Sequence, residues 1–71
     1  MQNNVNAENV FNCLTTSFGS DNVRILENGN IRLKVKSMGN GDILNISNML
    51  LMADIQIRRS DKNIVAIFVP R

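Results

Sequence analysis

The sequence predicts an α+β domain in the order α-β-β-α-β-β, a four-stranded, mostly antiparallel sheet with helices packed on one face. Three observations lead there. The stretch Ile31-Arg32-Leu33-Lys34-Val35-Lys36 alternates apolar and cationic residues, a period of two that a strand resolves into one apolar and one charged face. Asn28-Gly29 and Ser60-Asp61-Lys62 each interrupt a pair of β-rich segments, as hairpin turns do. Two further segments, 6–18 and 42–53, carry apolar residues at helical spacing.

In residues 6–18, Val10, Phe11, Leu14 and Phe18 share one helical face. Asn6 is placed to cap the helix, Glu8 favours the positive end of its dipole, and Val5 and Val10 are spaced for a hydrophobic staple. Gly19 supplies the left-handed residue that ends the helix, and Ser20-Asp21-Asn22 is the loop that follows.

Strands are expected at 22–26 and 30–37, and parity decides the loop between them. A two-residue loop pairs Leu26 with Ile31 and so Arg24 with Leu33, which buries an arginine. A three-residue loop, Glu27-Asn28-Gly29, pairs Ile25 with Ile31, Val23 with Leu33 and Arg24 with Arg32, so both apolar sets face the core. It also puts Gly29 where a type I turn with a bulge requires positive φ. The bulged loop is therefore expected, although it sets two arginines opposite each other.

Met38-Gly39-Asn40-Gly41 reads as a connector, with Asp42 as the N-cap of a second helix reaching Ala53, and Asp54 at its end. Ile43, Leu44, Ile46, Met49, Leu50, Leu51 and Met52 cover more than one stripe, so this helix is expected to be buried on more than one side. A second hairpin follows, Ile55 to Arg59 and Asn63 to Val69. Its last strand is apolar on both faces, which places it at the centre of the sheet or at an interface, and Pro70 ends it. No repeat or linker divides residues 1–71, which are read as one domain.

Composition narrows the chemistry. The chain has no histidine and one cysteine, Cys13, so an intramolecular disulfide, a zinc site of nitrogen and sulfur ligands, and histidine catalysis are all ruled out. No catalytic, cofactor or metal set is assigned. Asp42, Asn45 and Asp54 do not have the spacing of a calcium loop, and the glycine turn before Asp42 lacks the lysine of a phosphate-binding loop. Cys13 has no cationic neighbour along its helix and is expected to be a core or half-buried thiol. The protein is read as non-enzymatic. The apolar runs are too short for a membrane span, and Met1-Gln2-Asn3-Asn4 carries no basic leader, so a cytoplasmic location is expected, as a lone free thiol also suits. A chain this small, with an aliphatic core and no staple, is expected to be a homodimer or higher oligomer.

The functional reading rests on charge placement, because the net charge of +2 is small. Arg24, Arg32, Lys34, Lys36 and Arg58, with Gln56 among them, are expected on the exposed side of the sheet, where cations can neutralise nucleic-acid phosphates without reading sequence. The competing view is a solvated sheet face lined with Lys and Arg against edge pairing. With no Trp or Tyr in the chain, Phe68 is the one candidate for a base-stacking platform in this region. The alternative function is a protein-interaction module, a small inhibitor or assembly factor, acting through an exposed strand or the apolar helix surface.

Overall fold

The computed structural model describes residues 5–71. In chain order they form α1 (Val5–Phe18), a 3₁₀ turn (Ser20–Asn22), β1 (Val23–Ile25) and β2 (Ile31–Val35). There follow α2 (Asn40–Ser47), a second 3₁₀ turn (Asn48–Leu51), β3 (Ala53–Ser60) and β4 (Asn63–Pro70). The four strands make one sheet in the order β1-β2-β4-β3, antiparallel throughout. The expected α+β order is the one observed. Residues Met1 to Asn4, whose composition entered the reading of location, lie outside the described residues.

The helices cover one face. Val10 and Leu14 of α1, with Ile46 and Met49, meet Val23, Ile31, Leu33, Ala53, Ala66 and Phe68 in one buried cluster. Period-two alternation in β2 and β4 then fixes the other face, which carries Arg32, Lys34, Val65, Ile67 and Val69. Because β4 is central, its two-sided apolar character is used by the sheet itself.

The first hairpin has the bulged register. Arg24 stands opposite Arg32, Val23 opposite Leu33 and Ile25 opposite Ile31. The Gly29 amide donates to the Leu26 carbonyl at 3.0 Å, and the Leu26 amide to the Asn30 carbonyl at 2.8 Å, with Gly29 at φ +88°. Gly19 ends α1 at φ +89°, its amide donating to the Thr15 carbonyl at 2.9 Å. The second hairpin turns on Asp61 and Lys62, with Asp61 at φ 57°.

Several local expectations are corrected. Asn6 is the second residue of α1 and does not cap it; its side-chain amide donates to the Arg71 carbonyl at 3.1 Å, tying the helix start to the chain end. Val5 lies inside the helix and is 61% exposed, so the staple geometry is absent. Asp42 is the third helical residue after the Gly39 cap, and its carboxylate accepts from the Gly39 amide at 3.1 Å, the returning half of a capping box. The α-helix stops at Ser47 instead of Ala53. Ser47 donates its hydroxyl to the Ile43 carbonyl at 2.8 Å, and the run Ile43 to Asn48 is rich in β-branched and short polar residues that weaken a helix. Tightening into a 3₁₀ turn lets Ala53 enter β3 fully buried, so Asp54 belongs to a strand and does not end a helix. Only one side of the 43–52 segment is covered: Ile46 and Met49 are buried, whereas Ile43, Leu44, Leu50 and Leu51 are exposed.

Candidate nucleic-acid interface

On the face away from the helices, strand register sets residues in rows. Arg24, Arg32, Ile67 and Gln56 form one row across β1, β2, β4 and β3; Lys34, Val65 and Arg58 form the next. Neighbouring strands are about 4.8 Å apart and alternate residues along a strand about 6.8 Å apart. Lys34 and Arg58 therefore flank Val65 from either side, and Arg32 lies one step along from Lys34. Lys36 is exposed one residue beyond the end of β2, in a bend, so four of the five sequence-assigned cations share the sheet face and the fifth extends its end.

An open cleft of about 480 Å³ on this face is lined by Arg32, Lys34, Arg58, Arg59, Ser60, Val65 and Ile67. Arg59 and Ser60 were not assigned from sequence. Alternation puts Arg59 on the helix face, opposite Ile64, but it stands near the hairpin end, where strand twist is least restrained by neighbours. The adjacency of Arg58, Arg59 and Ser60 to the turn is the sequence signal that could have found them.

The one carboxylate on this face among the described residues, Asp54, is taken by Arg71. Among the described residues the single ion pair joins Arg71 Nη2 to Asp54 Oδ1 at 2.7 Å, so none of the sheet-face cations is held by a carboxylate. Glu27 sits in the turn of the first hairpin. No aromatic ring joins the cations: Phe68 is fully buried on the helix side, and Phe11 and Phe18 pack against the core.

Val65 shows how this face is built. It is only 9% exposed although both helices contribute their buried residues to the opposite side of the sheet. Its cross-strand partners are Lys34 and Arg58, both exposed, and side chains of this length shield an apolar neighbour with their methylenes while their charged ends reach water. The cations thus flank the apolar Val65 as well as carry charge.

The remaining polar candidates have local roles. The Gly39 amide, part of the glycine turn that resembles an anion loop, is satisfied by the Asp42 carboxylate. Asp54 is engaged by Arg71. Cys13 is exposed, a correction to the expected core or half-buried thiol; it lies on α1 to one side of the buried Val10–Leu14 stripe and lines a groove with Asn45, Asn48, Met49 and Met52. No helix among the described residues is long and apolar enough to cross a membrane. Comparison of the chain with protein-family models, with curated proteins and with solved structures finds no match.

Proposed function

We propose that the protein is a non-enzymatic accessory factor that binds the phosphate backbone of nucleic acid through the open sheet face. The observation that carries this reading is the set of cations on that face held in no ion pair, with Arg24 directly opposite Arg32. Facing arginines repel each other by up to roughly 1 kcal/mol, a penalty that a bound phosphate reverses. Arg24, Arg32, Lys34 and Arg58 serve as backbone contacts, with Lys36 at the margin. Without aromatic or paired amide partners, they sense charge and discriminate little among sequences. The exposed unpaired thiol of Cys13 favours the reducing cytoplasm as the site of action.

A mobility-shift titration with mixed-sequence DNA and RNA tests the reading. Four phosphate contacts give a slope of log affinity against log salt of about −3 to −4. Arg32→Ala is expected to weaken binding to unrelated sequences about equally and to reduce the slope by about one unit. No binding by the wild type at about 50 mM salt refutes it. A second reading, a protein-interaction module, is favoured by a different observation: Leu51 is 89% and Leu44 65% exposed, and the outer edge of β3 is unpaired among the described residues.

A further inference from the structure

The outer edge of β3 is eight residues long, without proline or bulge, and pairs with nothing among the described residues. We infer that it pairs with the same edge of a second copy, antiparallel, about a two-fold axis through Gln56. The inference does not rest on the anion-binding reading, and it engages one cation of that reading, Arg58, leaving Arg24, Arg32 and Lys34 to phosphate.

Hydrogen-bonding parity is the first argument. The two-residue loop Asp61-Lys62 closes on Ser60 opposite Asn63, so Ser60, Arg58, Gln56 and Asp54 direct their backbone groups toward β4. Ala53, Ile55, Ile57 and Arg59 then direct theirs outward. An axis through Gln56 places Ile55 opposite Ile57 of the second copy, so two residues with outward amides and carbonyls meet and exchange both bonds.

Charge selects this register over the neighbouring one. With the axis at Gln56, Asp54 faces Arg58 of the second copy and Arg58 faces its Asp54, two opposite-charge pairs generated by symmetry. Asp54 is 67% exposed and engages Arg71 through one oxygen, which leaves the other free for this contact. An axis at Ile57 would instead set Ile55 against Arg59. Apolar surface extends the edge on the helix side: Ile57 is 54%, Ile43 51% and Leu50 51% exposed, around a pocket of about 200 Å³ that Ile46, Ser47 and Ile55 complete. The two-fold lies perpendicular to the sheet, so the dimer is one eight-stranded sheet with both basic faces on the same side.

Disulfide trapping and mass measurement test the register without nucleic acid present, so their outcome is separate from that of the binding assay. The wild type is expected to sediment at twice its 8.0 kDa chain mass at micromolar concentration. In a Cys13→Ser background, Gln56→Cys should oxidise to a covalent dimer, because non-hydrogen-bonded partners sit with Cα atoms about 4.5 Å apart, within disulfide range. Ile57→Cys should not, since its counterpart is displaced diagonally by about 7 Å or more. Asp54→Arg and Arg58→Asp should each raise the dimer dissociation constant about tenfold, and combining them should restore it to within about twofold. A folded wild-type monomer at about 100 μM, trapping through position 57 in place of 56, or a double swap no better than the single ones would each overturn the proposal.

Discussion

The two faces of the sheet bury apolar residues by different means. On the helix face, Phe68, Ile31 and Leu33 lie under Val10 and Leu14 of α1 and are almost wholly inaccessible, packed carbon against carbon. On the open face, Val65 is only 9% exposed with no helix above it, flanked across the strands by Lys34 and Arg58. The difference teaches that the cations of this face have two separable roles. Methylenes beside Val65 can act on folding, and charges without an ion-pair partner are the part the proposed binding would use.

Removing an anchor of the helix face produces the largest expected effect. Phe68→Ala leaves a cavity in the middle of the cluster and should cost about 3–5 kcal/mol, comparable to the whole stability of a domain this small. Chemical denaturation should show a transition shifted to very low denaturant or lost, whereas Val65→Ala on the open face should keep a cooperative transition. Equal losses at the two positions would mean that the stems seal the open face as tightly as the helices seal the other.

Gly29 decides which residues belong to which face, because the bulge it permits sets the parity of β1 against β2. A Cβ there meets no neighbouring atom, so the cost of substitution is conformational and not steric crowding. Gly29→Val should destabilise by about 1–2 kcal/mol or more, and Gly29→Asn by less, since asparagine tolerates positive φ. Thermal melts of the pair measure it. Identical melting of the two variants would remove the left-handed strain as the origin of the effect.

What was legible in the sequence divides along similar lines. The helix α1 and the bulged register follow from local periodicity, parity and turn chemistry, and the two-sided apolar character of β4 left two places for it, the sheet centre or an interface. The end of α2 did not, because seven apolar residues in 43–52 outweighed Ser47, Asn45 and Asn48, whose side-chain competition with the backbone decides where the helix tightens. The side on which Phe68 lies was equally hidden, since it depends on how β4 registers with β2 across more than thirty residues of chain. Of the candidate site, the cations were visible by alternation. Their placement on either side of Val65 was not, because Lys34, Arg58 and Val65 meet through pairings between β4 and two different strands.

The smallest expected effect separates the two roles of the open face. Surface charge replacements usually change stability by less than about 0.5 kcal/mol, and from sequence alone Lys34→Ala would be expected in that range. The structure argues for more, about 0.5–1 kcal/mol, because alanine uncovers one side of Val65 as well as removing a charge. Lys34→Met keeps most of the stem and discards only the ammonium, so its stability should stay near that of the wild type. In the salt titration, however, the two variants should behave alike, each losing about one phosphate contact and about 0.7–0.9 of the slope. Stability must therefore follow the methylenes while binding follows the charge. If Met and Ala were equally destabilising, the stem would not be what covers Val65; if Met bound with the full wild-type slope, Lys34 would carry no phosphate contact.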